Sequence, residues 1–210
     1  PLYLGGLVGF SENAKMAVRS SSYSGSMQLA VQKSSIDTAT AWKAGGLVGF
    51  VSKGFLLVDS SSFAGKVMAM NVPGRLSLGG LLGETDVADS LVIMRSYAVG
   101  TRDTLMEVGF QPADTGSFAI GGLVGNVGKV PSVKIREVFA RGALVLRDTL
   151  LTTGQEYMNL AGILGRDDST VKNSEFLMQD AYYRGGFDLE GFKCRRQPMI
   201  FGVTASTNKR

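Results

Sequence analysis

The 210-residue chain contains no histidine and a single cysteine, Cys194. Without histidine there is no Ser-His-Asp or Cys-His catalysis, no histidine metal site and no ordinary pH switch near neutrality. One cysteine forms no internal disulfide and offers no metal-ligand spacing. Cys194 is therefore expected to pack as a small apolar residue. A disulfide to another chain, or to a part of the protein outside this sequence, is the alternative.

Proline and charged residues are also scarce. Only 5 residues are proline, 19% are charged, and the net charge is +4 with lysine and arginine largely scattered. A nucleic-acid partner would be expected to show a basic stripe, so none is expected here. No signal peptide is visible, and no apolar run approaches the ~18 residues that would indicate a membrane span.

Glycine, in contrast, is abundant at 28 residues, and much of it belongs to a recurring five-residue phrase. The phrase first appears as Gly5-Gly6-Leu7-Val8-Gly9 and begins again at residues 45, 79 and 121. A variant copy begins at Ala161, and Phe201-Gly202-Val203 has the form of a sixth start. Repetition at a spacing of about 40 residues is typical of solenoids and other arrays.

A second phrase follows the first at a fixed distance. An aromatic residue stands 18 positions after the first glycine of each full copy, at Tyr23, Phe63, Tyr97 and Phe139, and the shorter fifth copy reaches Phe176. We expect these five aromatic side chains to share one side of the array and to be mostly buried, because aromatic rows bury large apolar areas. An exposed aromatic strip that grips sugars is the alternative.

The two linked phrases resemble the GLUG-motif repeat, in which GGLVG is followed by a phrase like Ser96-Tyr97-Ala98-Val99-Gly100. The resemblance extends from Gly5 to about Phe176. Proteins with such repeats are mostly large surface or secreted proteins: adhesins, haemagglutinin-like exoproteins and the non-catalytic regions of some IgA-cleaving proteases. The resemblance implies a β-helical array that serves in scaffolding or attachment, and it carries no family-wide catalytic residues.

The residues themselves favour strands over helices. A Gly-Gly pair inside each segment would cost a helix ~2 kcal/mol relative to alanine, whereas short β-branched and aromatic runs between Gly or Ser are typical of strands. The sequence therefore predicts an all-β fold, a β-solenoid or parallel β-helix, as one domain over residues 1–210. The large residues of the phrase are expected to stack along one core line: Leu7, Leu47, Leu81, Leu123 and Ile163.

A finer glycine spacing predicts the size of a coil. Gly5, Gly25, Gly45 and Gly65 are 20 residues apart. This spacing predicts two coils of about 20 residues in each 40-residue repeat. About ten such coils at ~4.8 Å per strand would give a rod of roughly 50 Å. One wide coil per 40-residue repeat is the main alternative.

Two similar stretches indicate a binding face. Arg102-Asp103-Thr104-Leu105 and Arg147-Asp148-Thr149-Leu150 occupy matching places in their repeats, and the residues after them, Met106 to Phe118 and Leu151 to Asn159, are predicted to be loops. Loops that leave one face of a repeat array often form its binding side. The candidate binding residues are therefore Arg102, Asp103, Arg147 and Asp148. Exposed Arg-Asp pairs that only stabilise a turn are the alternative.

Catalytic chemistry is not indicated. Pectate-lyase-like enzymes share the parallel β-helix, but the acidic residues here are spread over different phases of the repeat. The only adjacent aspartates, Asp167 and Asp168, should point to opposite faces of a strand. The serine runs lack a base to activate them. We expect no catalysis, no cofactor and no metal. A polysaccharide-acting enzyme and a carbohydrate-binding module are the alternatives.

The positions of the repeats also suggest how the chain is used. It begins almost at the first repeat and ends just inside a sixth, with no polar cap, so we expect it to be a piece of a longer protein. Uncapped coils expose strand edges that recruit further strands. We expect a structural or adhesive segment of a larger extracellular or cell-surface protein or filament. Its partners would be other copies or subunits that stack end-on or side-by-side, with surface glycans as further candidates.

Overall fold

A computed structural model describes residues 1–30, 41–72, 74–110, 117–148, 157–168, 175–189 and 199–206. These residues form 19 β-strands and no helix. The strands are β1 (Leu2–Gly5), β2 (Val8–Arg19), β3 (Ser22–Ala30), β4 (Ala41–Gly45), β5 (Val48–Asp59), β6 (Ser62–Val72), β7 (Arg75–Gly79), β8 (Leu82–Asp86), β9 (Ser90–Met94), β10 (Tyr97–Phe110), β11 (Ser117–Gly121), β12 (Val124–Val127), β13 (Ser132–Asp148), β14 (Tyr157–Ala161), β15 (Leu164–Asp167), β16 (Glu175–Arg184), β17 (Phe187–Asp188), β18 (Met199–Phe201) and β19 (Thr204–Ser206).

Strand pairing confirms the predicted β-solenoid. Every pairing among the described strands is parallel and joins corresponding residues of consecutive repeats. Strands β1, β4, β7, β11, β14 and β18, which precede each copy of the phrase, form a six-stranded sheet. The remaining 13 strands form the second sheet. The apolar core fills the space between the two.

The predicted coil of about 20 residues is wrong, and the single wide coil per repeat is the one observed. Paired residues are separated by 34 positions at the least, as in Val48 with Leu82, and by 43 at the most, as in Ser132 with Glu175. The prediction failed because glycines also occur midway through each repeat, within a coil. Gly25 and Gly65 pair with each other inside β3 and β6, where Gly25 has a φ of 144°. They mark a bend within one coil, so six stacked strands rise only about 24 Å.

The core line predicted from the phrase is confirmed. Leu47, Leu81, Leu123 and Ile163 are fully buried. They lie in register, because the backbone N–H of each of the first three donates to the carbonyl oxygen of the next at 2.8–3.0 Å. Leu7 continues the line but is 44% exposed, since its coil is the first and packs against a neighbour on one side only.

The glycines of the phrase are needed for close packing. A Cβ on Gly46 would lie 2.0 Å from the carbonyl oxygen of Gly80 and 2.4 Å from the ring of Phe63. A Cβ on Gly80 would lie 2.5 Å from the Cβ of Ala98. The second glycine of the phrase thus makes room for the inward residue of the aromatic phrase in its own coil. This contact explains why the two phrases occur together at a fixed spacing.

At a second corner of the coil, non-glycine residues adopt the left-handed backbone conformation. The corner residues of five successive coils all have a positive φ of 47–53°: Ser20, Ser60, Arg95, Glu137 and Asp180. Buried serines tie neighbouring coils together beside them. The N–H of Ser21 donates to Oγ of Ser61 at 3.2 Å, and the N–H of Ser61 donates to Oγ of Ser96 at 3.1 Å. The serine runs therefore have a structural place at this corner.

The prediction that five aromatic residues share one buried side is wrong. Tyr23 and Phe63 stack with ring centroids 6.1 Å apart, and Phe63 is fully buried. Tyr97 and Phe139 stack at 4.8 Å in a separate column that Tyr182 continues at 5.3 Å. Tyr97 and Tyr182 are exposed. Phe176 lies in a third column, paired with Val133 on an earlier part of the coil.

One inserted residue explains the change of face. The residue offset between the second and third coils is 34 at Ser52 and Asp86 but 35 at Phe55 and Ser90. The extra residue falls in the turn at 87–89, between β8 and β9. Side chains alternate between the two faces of a strand. One extra residue in the turn therefore places the residue at a given distance from the phrase on the opposite face of the following strand. Ala98 consequently pairs with Phe63 on the inward side, while Tyr97 points outward.

Candidate functional site

The four residues predicted to bind a partner do not form one matching face. Arg102 and Asp103 are exposed and lie in a left-handed irregularity of β10, with φ of 49° and 60°. Arg147 of β13 pairs with Gly109 of β10, which lies several positions after Asp103 in that strand, and Asp148 pairs with Phe110. The side chain of Asp148 lies outside the described residues, as do Cys194 and most of the second predicted loop.

The predicted loops are partly strands. In the first stretch, Met106 to Phe110 belong to β10, and Ser117 and Phe118 belong to β11. In the second stretch, Tyr157 to Asn159 belong to β14. These segments pair in parallel with neighbouring coils, so they form part of the wall and do not project from it. The intervening residues 111–116 and 149–156 are outside the described ranges.

Arg147 belongs to an ion cluster that joins three coils. Its Nε donates to Oε1 of Glu107 at 2.7 Å, while the ammonium group of Lys66 binds the other oxygen of the same carboxylate. Hydrogen bonding from Lys66, followed by that from Arg147, lowers the pKa of the Glu107 carboxyl below its usual value. The cluster links β6, β10 and β13 and has a structural role.

The Glu107 cluster predicts a loss of stability in acid. A lowered folded-state pKa means that the stabilisation is present above the unfolded-state pKa and is lost as the pH falls through the folded-state value. At pH 7 we expect Glu107→Gln to lower the free energy of unfolding by about 1 kcal/mol, discounted for partial exposure. Urea unfolding at pH 7 and pH 3 tests this. The difference between the two proteins should shrink at pH 3, and an equal difference at both values would contradict the assignment.

A cavity among the described residues lies beside the Gly-Gly-Leu corner, where the two sheets meet. It has a volume of about 670 Å³. We call it the corner groove. One wall consists of β4, β7 and β11, and the other consists of residues in or directly after β8, β12 and β15. Its polar lining includes Lys43, Arg75, Ser77, Ser117, Glu84, Asp86, Asn126, Arg166 and Asp168.

A simple sequence relation builds the two walls. The residue two positions before each phrase faces the residue directly after it, seven positions further along the chain. Lys43 contacts Phe50 in this way, with Nζ 3.3 Å from the ring centroid, and the Ser77 hydroxyl donates to Glu84. Strand register places Ala119 and Asn159 in line with Ser77 on one wall, and Asn126 and Arg166 in line with Glu84 on the other.

One end of this line is aromatic. The ring of Tyr3 stacks on Phe10 at 4.9 Å and on Phe50 at 5.1 Å. Phe50 is buried and covered by Lys43, whereas Phe10 is 44% exposed. The flanks of the phrase thus change along the solenoid axis, from stacked rings in the first two coils, which are outside the groove lining, to charged and amide side chains in the later coils.

The charges of the groove lining balance: four of the charged side chains form two ion pairs, and Arg75 and Asp86 add one further charge of each sign. Nζ of Lys43 lies 2.7 Å from Oε1 of Glu84, and both side chains are mostly buried. Nε of Arg166 lies 2.7 Å from Oδ1 of Asp168. Since these cations and anions are paired within the wall, they confer little net charge on the groove.

Two amide oxygens along the strands of these walls have no hydrogen-bond partner among the described residues. They are Oδ1 of Asn126, which lines the groove, and Oδ1 of Asn159, which is in a side chain only 1% exposed. A buried polar atom without a partner costs about 1–3 kcal/mol and calls for an explanation. The third such atom among the described residues, Oγ1 of Thr85, lies in register with the core residues Val51 and Val127.

Sequence reasoning missed this groove, although a signal for it exists. The phrase itself is nearly constant, whereas the residues that flank it differ from copy to copy: Tyr3 and Phe10, Lys43 and Phe50, Ser77 and Glu84, Ala119 and Asn126, Asn159 and Arg166. Once the phrase is recognised as a corner, its flanks must face each other across that corner. Variable polar flanks around a constant turn therefore indicate a surface that can be specialised.

Comparison with known proteins adds no assignment. No protein-family model, no curated protein and no solved structure matches the chain. Within the described ranges, no helix has the length and apolar character needed to cross a membrane. The same residues contain no group of three or more His, Cys, Asp or Glu side chains placed to hold a metal ion.

Proposed function

We propose that the chain is a non-catalytic structural and adhesive segment of a larger extracellular or cell-surface protein or filament. The observation that carries the proposal is the continuity of the solenoid. One buried line of Leu47, Leu81, Leu123 and Ile163 and one ladder of parallel strands run through successive coils. Such an array holds its two ends at a fixed separation, about 24 Å for six stacked strands, and presents its side surface to a partner, as a structural or adhesive segment requires.

The two terminal coils support end-on assembly. Large apolar side chains are exposed in the first coil at Leu2, Leu7 and Phe10, and in the last at Ile200, Phe201 and Val203. Within the part of the chain that the structure describes, the strands of these coils pair on one side only, and open strand edges recruit further strands. The partner we propose is a further parallel coil, supplied by a second copy of the chain or by another subunit.

The state of the carboxylates supports a non-catalytic role. A glycoside-cleaving site needs one carboxyl group to protonate the leaving oxygen and a second to act as base or nucleophile. In the corner groove, Glu84 is bound by Lys43 and by the Ser77 hydroxyl, and Asp168 is bound by Arg166. Both carboxylates are thus already engaged by side chains of the groove. We therefore favour binding over hydrolysis.

End-on assembly can be tested by sedimentation. The chain is expected to associate as its concentration rises, and Ile200→Lys should weaken association by about tenfold or more because a charge would be buried at the junction. Val87→Lys is the matched control, since Val87 is equally apolar and 49% exposed but lies in a middle coil. Sedimentation as a monomer at all concentrations, or equal loss in both variants, would contradict the proposal.

The proposed extracellular or cell-surface location can be tested separately. An antibody against the chain should label intact cells of the source organism without permeabilisation. Labelling that appears only after the cells are opened would contradict an extracellular or surface location.

A further inference from the structure

We propose that the corner groove binds a neutral oligosaccharide that lies along the solenoid axis. The inference supplies a ligand for the adhesive role proposed above and in that sense rests on it. It is carried by three independent features of the groove: its size, its balanced charge and the unpartnered amide oxygen of Asn126 in its lining.

Size and shape fit an extended small ligand. The volume of about 670 Å³ lies within the roughly 300–1,000 Å³ typical of ligand sites. The lining comes from several consecutive coils, so equivalent wall positions recur every ~4.8 Å along the axis. A ligand with its own repeating unit can contact successive coils in turn, which a compact ligand cannot do.

Balanced charge selects a neutral ligand. The groove lining carries three cations and three anions: Lys43, Arg75, Arg166, Glu84, Asp86 and Asp168. The ammonium of Lys43 is bound to Glu84, and the guanidinium of Arg166 is bound to Asp168. An anionic ligand would have to break these pairs or lie against the two carboxylates, and a cationic ligand would meet the opposite difficulty. A sugar hydroxyl can instead accept from the paired cations or donate to the paired anions while the pairs remain intact.

The amide oxygen of Asn126 selects a hydrogen-bond donor. Among the described residues, Oδ1 of Asn126 is a buried acceptor without a partner, and Asn126 lines the groove in line with Glu84. A hydroxyl group of a sugar donates to such an oxygen and accepts from the amide nitrogen of the same side chain. The ligand would thereby satisfy an atom that the free protein leaves unsatisfied.

The outer aromatic column is a weaker candidate for sugar binding. Tyr97, Phe139 and Tyr182 stack face to face at 4.8 and 5.3 Å, with planes within 9° of parallel. Each inner ring face is covered by its neighbour, so the column presents mainly ring edges to the side. Flat sugar faces need an open ring face, which this column offers only at its end.

Isothermal titration calorimetry of the full chain tests the inference. The probes are neutral hexasaccharides of β-1,4-linked glucose, β-1,4-linked mannose and α-1,4-linked glucose, with hexagalacturonate as the charged comparator. We expect at least one neutral hexasaccharide to bind, and hexagalacturonate to bind at least about tenfold more weakly because the groove lining carries no net positive charge.

Two variants and one control locate the site. Asn126→Leu removes both hydrogen-bonding atoms while keeping the same number and branching of heavy atoms. It should weaken binding by about tenfold without lowering the melting temperature, since the lost oxygen has no partner in the free protein. Ser117→Trp should block the groove. Arg141→Leu, at a separate cavity of about 340 Å³, should bind as the unmodified chain does.

Three results would overturn the inference. They are no binding of any neutral hexasaccharide by the folded chain at millimolar concentration, tighter binding of hexagalacturonate than of every neutral probe, and unchanged affinity in both Asn126→Leu and Ser117→Trp. None of these results affects sedimentation of the Ile200→Lys variant, so failure of the ligand inference is distinguishable from failure of the structural role.

Discussion

Replacing Leu81 by aspartate is expected to unfold the middle of the solenoid. Leu81 is fully buried in the core line between Leu47 and Leu123. The substitution removes a packed apolar side chain and introduces a carboxylate without a partner. Together these changes should lower the free energy of unfolding by roughly 5 kcal/mol or more. Such a loss equals the whole stability of many domains. Circular dichroism during thermal and urea unfolding measures it.

Leu7→Asp is the matched control for this prediction. Leu7 has the same place in the phrase but lies in the first coil, where it is 44% exposed. Its aspartate can remain hydrated, so we expect a loss of about 1 kcal/mol or less. Equal destabilisation by the two substitutions would contradict a core line whose burial depends on stacked neighbouring coils.

Replacing Gly79 by alanine is expected to have the second-largest effect, although it adds a single methyl group. The added Cβ would lie 2.0 Å from the carbonyl oxygen of Leu82 and 2.7 Å from the backbone nitrogen of Gly125. Both neighbours are backbone atoms of the same corner and of the next coil, so neither can move without disturbing the strand ladder. We expect a loss of about 3 kcal/mol or more in urea unfolding.

Gly186→Ala provides the comparison. A Cβ at Gly186 would meet no heavy atom within 4 Å. The substitution also reduces the conformational entropy of the unfolded chain, so stability should stay equal or rise by a few tenths of a kcal/mol. A small effect at Gly79, similar to that at Gly186, would show that the close approach at the corner does not exist.

The class of fold and its core line could be predicted because they depend on a strong, repeated signal. The phrase at Leu47 and at Leu81 places a large apolar residue between glycines at every copy. Stacking of identical units is the arrangement that buries each of these residues against its equivalents. Errors in local propensity do not matter when the same signal recurs along most of the chain.

The coil length and the aromatic columns could not be predicted from spacing alone. Glycines mark both the Gly-Gly-Leu corner and the bend at Gly25 and Gly65, so a 20-residue spacing arises within one coil. Tyr97 keeps the aromatic spacing of 18 residues from the phrase. One extra residue in the turn at 87–89 nevertheless places Tyr97 on the opposite face of its strand from Phe63. Register depends on such turns, and a one-residue change reverses the two faces.

The corner groove could not be predicted from the sequence for a related reason. Arg102 and Arg147 drew attention because their short segments look alike, but strand register places them at different positions along the coil. Groove residues such as Asn126 and Glu84 carry no motif of their own. They become a site only when the corner brings two sheet walls together, and that requires knowing which strands the phrase joins.

The distance between spin labels at residues 24 and 184 tests most directly the claim that each repeat is a single coil. Ser24 pairs with Ala64, Ala64 with Val99, Val99 with Arg141, and Arg141 with Arg184. In a Cys194→Ser background, Ser24→Cys and Arg184→Cys would carry nitroxides for pulsed electron resonance. Four coil steps of ~4.8 Å predict a backbone separation of about 19 Å. Two coils per repeat would double the steps and give about 38 Å, and a distance near that value would contradict the account.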